Sequence, residues 1–183
     1  MRSPRDFFKP LALGAPAPVR EIPVKPSRCI HFFDPSNPKM AAKLPDLAKQ
    51  SDILLGNLED AVPADKKIAA RDGLARIGRE VDLGETPLWT RINSLDSPWC
   101  LDDLGTLVGA IGNRLEVVMI PKVEGPWDIH YLDQLLAQLE AKHLVTKPIL
   151  IHAILETAEG VNNVEAIAAA RSEEHTSELQ SQR

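Results

Sequence analysis

A recurrence constrains this chain more than any other feature: short apolar runs that stop abruptly at residues able to hold a metal or an anion. Residues 53–58 run into Glu59 and Asp60, residues 88–90 into Arg91 and Asn93, residues 117–120 into Lys122 and Glu124, and residues 149–155 into Glu156. Runs this short and this continuous suit strands covered on both faces, which means parallel strands between helices. The charged groups would then stand at the strands' carboxyl ends, the edge where barrels and open α/β sheets place ligands.

The spacing between the runs completes the pattern. Strands are predicted at 29–33, up to Asn57, at 88–92, at 116–120 and from Pro148 onward. Helices are predicted between them, at 38–49, 64–81, 98–111, 126–142 and 158–170. The second carries Ile68, Leu74, Ile77 and Val81 at helical spacing, the third closes at Gly112-Asn113 as a C-cap would, and the fourth repeats Ile129, Leu132, Leu135, Leu136 and Leu139 on one face. Strand ends recur roughly every 25–35 residues, about the length of one βα unit of an eight-unit barrel. The first βα turn, residues 33–38, lacks the glycine fingerprint of a dinucleotide site. The expected architecture is therefore α/β, a (β/α)8 TIM barrel of which this chain holds about the first five units.

Composition limits the partners. A chain of 183 residues with 44% hydrophobic residues can build one core, and a net charge of −5 with dispersed cations argues against nucleic acid. No stretch has the length and apolarity of a membrane span or of a signal peptide, so a soluble cytoplasmic protein is expected. Cys29 and Cys100 lack metal-type spacing and read as reduced thiols. Residues 1–27 contain six prolines and are expected to form an extended arm beside the barrel segment, residues 28–170. Residues 171–183 carry one apolar residue and resemble the conceptual translation of a sequencing-adapter read-through, so they are set aside as non-native.

The strand-end residues have definite chemical uses and equally definite structural alternatives. Glu59 and Asp60, just past a strand, can hold a hydrated hard cation, or can cap the next helix or pair with Lys66 or Lys67. Glu156 closes an apolar strand with no cation nearby in sequence, so it needs a partner such as magnesium, unless it serves the helix start at Thr157. Arg91 can grip a carboxylate or stabilise an enolate oxygen, or can bridge to Glu59, Asp60 or Glu156. Lys122 and Glu124 read as support for a barrel rim. His31 and His152 lie within strands as core residues, and His130 and His143 on an exposed helix face.

These residues also carry a family resemblance. Residues 56–63 with Lys67 and Ala70-Arg71, residues 89–99, 119–130 and 155–160, and the opening residues 8–16 resemble the citrate lyase β-subunit-like (HpcH/HpaI aldolase) acyl-CoA lyases, most nearly the members that cleave malyl-CoA. The resemblance implies a TIM barrel that uses Mg2+, with Mn2+ as a substitute, for reversible Claisen cleavage of an acyl-CoA thioester. Malyl-CoA would give acetyl-CoA and glyoxylate, β-methylmalyl-CoA would give propionyl-CoA and glyoxylate, and citramalyl-CoA would give acetyl-CoA and pyruvate, as in the 3-hydroxypropionate carbon-fixation cycle. By motif match, Glu156 is the direct magnesium ligand, Glu59 and Asp60 hold the metal's waters, and Arg91 binds glyoxylate or the developing enolate. Phe32, Phe33 and Lys43 fall where the family contacts substrate or coenzyme A. The resemblance further implies a homo-oligomer with a shared active site, whose second metal carboxylate and acid/base group lie beyond Ala170. The 183-residue chain alone is therefore expected to be inactive. Thioester hydrolysis at the same site, and a non-catalytic binding protein on a barrel scaffold, are the alternative readings.

Overall fold

The computed structural model describes residues 27–170. The arm expected at 1–27 thus lies outside the described residues except for Ser27, as does the tail at 171–183. Among the described residues the five predicted strands form one parallel sheet: β1 (Ile30–Phe33), β2 (Ile53–Asn57), β3 (Leu88–Arg91), β4 (Leu115–Ile120) and β5 (Leu150–Ala153). Their order in the sheet is their order in the chain. A doubly wound sheet reverses strand order at a switch point, whereas a barrel adds each strand beside the last, so this sheet is wound as a barrel wall.

The helices lie between the strands, with two predicted helices broken. The first is divided into α1 (Pro38–Ala41) and α2 (Leu44–Ala48). Pro45 accounts for the break, since it has no N–H to donate and its ring clashes with the carbonyl four residues back. A short 3₁₀ turn (Ala64–Lys66) leads into α3 (Lys67–Glu80), followed by α4 (Cys100–Ile111) and α5 (Pro126–His143). The last predicted helix is also divided, into α6 (Ala158–Asn162) and α7 (Val164–Ala169), with non-helical backbone at Asn163.

The hydrophobic core fills the space between sheet and helices, joining Leu54, Leu88, Val118 and Ile120 of the strands to Leu74, Leu104, Leu107, Leu132 and Leu136 of the helices. On α3 the predicted apolar stripe is rotated. Ile68 is 64% exposed, while Lys67, Ala70, Arg71, Leu74, Ile77 and Gly78 are buried. Gly112 is also needed for a different reason than expected: its backbone is right-handed, but a Cβ there would stand 2.6 Å from the Val108 carbonyl oxygen and 2.7 Å from Val145. Close packing of the α4 end against Val145 requires the missing side chain.

The opposite face of the sheet is the inner wall. Strand register aligns Phe32, Leu55, Trp89, Val117 and Leu150 in one row, and Asn57, Arg91, Met119 and His152 in the next row toward the carboxyl edge. Glu116 is passed over where β3 meets β4, a local bulge, and its side chain is exposed. The central strands β2 and β4 are largely buried, whereas β5, at the sheet edge, is half-buried with His152 exposed.

Candidate active site at the carboxyl edge

Local turns place each charged group just beyond its strand. After β2, Glu59 turns back on itself: its N–H donates to Asn57 Oδ1 at 3.0 Å, and the Asp60 N–H donates to Glu59 Oε2 at 2.8 Å. After β4 the chain turns at Lys122, whose φ of 55° puts a lysine in the left-handed region. That conformation costs about 1–2 kcal/mol for a residue with a Cβ. It sets the Lys122 N–H to donate to Glu156 Oε1 at 3.1 Å, linking the ends of β4 and β5. Thr157 then caps α6 through the Gly160 N–H at 3.0 Å, so the cap belongs to Thr157 and leaves the Glu156 carboxylate outside the helix.

Three of the four expected residues meet at Arg91, and the fourth, Glu156, is tied to them through Lys122. The Arg91 guanidinium forms an ion pair with Glu59 and a longer one with Asp60 at 3.3 Å. Lys122 Nζ lies 3.0 Å from Glu59 Oε1 and 3.7 Å from Asp60 Oδ1. Burial pushes the Arg91 pKa down, and the charge of Glu156 acts against that shift. Arg91 therefore pairs with two carboxylates and feels the charge of a third, Glu156, with its buried Nε left without an acceptor. A guanidinium held this way is fixed in place.

A buried polar network under the site was not visible in the sequence reading. Lys67 Nζ donates to the carbonyls of Leu58 (2.7 Å) and Glu59 (3.0 Å) and to Asn93 Oδ1 (2.6 Å), and lies 5.4 Å from the Trp99 ring centroid. Burial lowers its pKa, while Asp103 and Asp60 oppose the shift. The Asn93 N–H and side-chain amide both donate to Asp103 Oδ2, at 3.1 and 2.7 Å, and Arg71 Nε reaches Asp103 Oδ1 at 2.9 Å. The network fastens the loop carrying Glu59 and Asp60 to the loop following Arg91. Lys67, Arg71 and Asn93 stand in the family motifs, but the sequence pointed Lys67 to the Glu59 or Asp60 carboxylate, whereas it bonds the loop carbonyls and Asn93.

The expected substrate contacts are divided. Phe32 is 45% exposed and lies in the inner-wall row with Leu55 and Trp89, but Phe33 is 3% exposed and packs in the helix-side core. Pleating separates neighbours, so the two cannot share a face. Lys43 is exposed as the N-cap of α2, away from the Arg91 cluster's contacts. His152 stands 5.7 Å from the Trp89 ring, and partial burial lowers its pKa. His130 is exposed, as expected, whereas His143 is half-buried.

The donor set at this edge suits an open magnesium site and not a closed one. Among the described residues, no three His, Cys, Asp or Glu side chains converge closely enough to cage a metal. Glu59 already holds Arg91, Lys122 and the Asp60 N–H. Glu156 is exposed, and only its Oε1 accepts a hydrogen bond. One open carboxylate, two neighbouring ones and no nitrogen or sulfur donor fit a hard cation that keeps most of its waters, rather than a closed protein cage.

With the geometry established, comparison with known proteins places the chain. The family described as HpcH/HpaI aldolase/citrate lyase matches residues 28–175. The chain belongs to this family. It is 58% identical over 170 residues to the malyl-CoA/β-methylmalyl-CoA/citramalyl-CoA lyase of Chloroflexus aurantiacus, covering 93% of this chain and 49% of that protein. It is 36% identical over 155 residues to an L-malyl-CoA/β-methylmalyl-CoA lyase of Cereibacter sphaeroides, covering 85% and 47%. The CitE protein of Mycobacterium tuberculosis, solved with magnesium and acetate, aligns with TM-score 0.59 at 25% identity over 79% of this chain and 51% of that one. The chain spans about half the length of the relatives it matches, and its sheet is part of a family TIM barrel.

Proposed function

We propose that the protein containing this chain is a magnesium-dependent carbon–carbon lyase that reversibly cleaves (S)-malyl-CoA to acetyl-CoA and glyoxylate. β-Methylmalyl-CoA and citramalyl-CoA would be cleaved in the same way. The observation that carries this reading is the meeting of Arg91 with Glu59 and Asp60, and of Lys122 with Glu59 and Glu156, at one end of a parallel sheet. The 58% identity to a lyase named for these three substrates supports the choice of acyl-CoA thioesters.

In the cleavage direction the hydroxyl of malyl-CoA loses its proton, the carbon–carbon bond breaks, and the electron pair moves onto the thioester as an enolate. Protonation of that enolate at carbon releases acetyl-CoA. Bound magnesium, held directly by Glu156 and through water by Glu59 and Asp60, would supply Lewis-acid stabilisation of the oxygens of the oxo-acid half. Arg91 binds the glyoxylate oxygens or the developing enolate, fixed by its carboxylate partners so that it need not reorganise during reaction. Lys67 and Asn93 hold the loops that carry these groups. Phe32 offers the substrate an apolar contact on the inner wall. No described residue is assigned the acid/base role. The 183-residue chain is accordingly proposed to be inactive, the complete protein assembling a shared site between subunits.

Hydrolysis is the second reading, favoured by 31% identity over 144 residues to a (3S)-malyl-CoA thioesterase of Cereibacter sphaeroides. Product identity decides between them. The complete protein incubated with (S)-malyl-CoA and magnesium is expected to release glyoxylate and acetyl-CoA, whereas malate and free coenzyme A would establish hydrolysis. Turnover by the isolated 183-residue chain would refute the claim that it lacks essential groups.

A further inference from the structure

We propose that Lys122 is a placeholder cation: its ammonium occupies the water-holding side of Glu59 and Asp60 until a divalent ion arrives, and then withdraws. The proposal rests on the magnesium part of the functional reading and gives a role to a residue outside the assigned metal and substrate set.

Lys122 touches all three carboxylates of the site. Its Nζ stands 3.0 Å from Glu59 Oε1 and 3.7 Å from Asp60 Oδ1, and its backbone N–H donates to Glu156 Oε1 at 3.1 Å. A hydrated divalent ion resting on Glu156 would direct its waters at the same Glu59 and Asp60 oxygens that the ammonium holds. The two cations therefore compete for one set of acceptors. Lysine takes a left-handed backbone only where its surroundings impose it, and here the conformation at φ 55° aims main chain and side chain at the same cluster.

Burial decides which group moves. The Lys122 side chain is 46% exposed, against 5% for Glu59 and 14% for Arg91. Glu59 is pinned by Arg91 and by the Asp60 N–H, while Lys122 has a flexible stem and open solvent beside it. Arg91 and Lys122 together offset two of the three carboxylate charges. A divalent ion added with Lys122 in place would set like charges against each other, and withdrawal of the ammonium relieves that repulsion.

The test uses the complete protein that contains this chain, with magnesium chloride as the probe. Lys122→Met keeps the aliphatic stem and removes the charge, whereas Lys122→Arg keeps the charge. By isothermal titration, Lys122→Met is expected to bind magnesium about tenfold more tightly than wild type, and Lys122→Arg close to wild type. Without divalent ions Lys122→Met should melt below wild type, and saturating magnesium should close the gap. In the wild type, the Lys122 Nζ resonance, identified by its loss in Lys122→Arg, should shift on magnesium saturation. That arm does not depend on Lys122→Met folding. Unchanged or weaker magnesium binding by Lys122→Met, or a Lys122 resonance that stays fixed, overturns the placeholder role and leaves the metal reading standing. Absence of magnesium binding in every protein overturns both.

Discussion

Replacing Lys67 with methionine removes a buried side chain that ties the Glu59 loop to the loop after Arg91. Methionine fills much of the same volume, so the effect isolates the ammonium. Three acceptors lose a bond: the carbonyls of Leu58 and Glu59, at 2.7 and 3.0 Å, and Asn93 Oδ1 at 2.6 Å. The Glu59 carbonyl keeps the Val62 N–H at 2.8 Å, so two acceptors are left unsatisfied. At about 1–3 kcal/mol for each, the gross loss is about 2–6 kcal/mol. Relief of the buried charge offsets part of this, since burial already disfavours the ammonium and lowers its pKa. Asn93 keeps its two bonds to Asp103 and can rotate little to recover. The net expectation is a destabilisation of about 2 kcal/mol, at the lower end of the gross range. For a domain of this size that corresponds to a fall in Tm of about 4–8 °C, measured by circular dichroism on the purified chain. A change below about 0.5 kcal/mol would refute the claim that Lys67 clamps the two loops.

Other consequences follow from the same structure. Lys67 has a folded pKa below its ordinary value of 10.5, so between those two values the unfolded state binds more protons and stability should rise with pH; Lys67→Met should lack that rise in pH-dependent urea unfolding. Cys29 is exposed, whereas burial, reinforced by Asp103, pushes the Cys100 thiol up to about 12. A thiol reagent at neutral pH should therefore modify one cysteine in the native chain and the second only after denaturation, and fast reaction of both would contradict the packing of α4. A Cβ at Gly160 would stand 2.1 Å from the Val123 carbonyl oxygen. Gly160→Ala should cost about 1–3 kcal/mol in urea unfolding by pushing α6 away from the β4 turn, and an unchanged midpoint would contradict that close approach.

The sequence made the strands legible because each is an apolar run ended by a charged residue, and all five appear in the predicted order. It misplaced the helix breaks at Pro45 and Asn163, where one residue's backbone preference outweighs the apolar periodicity on either side. The α3 stripe was read from Ile68 because hydropathy counts Lys67 and Arg71 as surface residues. Only their partners, Asp103 and Asn93, distant in sequence, make them interior groups. The site showed the same division. Charged strand ends could be read along the chain, but the reach of Lys122 to Glu59 spans β3, which stands between β2 and β4 in the sheet, and no local pattern encodes that. Phe32 and Phe33 show a limit of motif transfer: adjacent residues share a motif but not a face.

The central claim is that the charged strand ends form one hard-cation site resting on Glu156. Manganese(II) binding to the complete protein, followed by loss of the free-ion paramagnetic resonance signal, tests it directly. Wild type is expected to bind one ion, displaced by magnesium, and Glu156→Gln to bind at least about a hundredfold more weakly, since loss of a supporting partner alone costs about 10- to 100-fold. Glu156→Gln binding manganese with wild-type affinity would contradict the assignment.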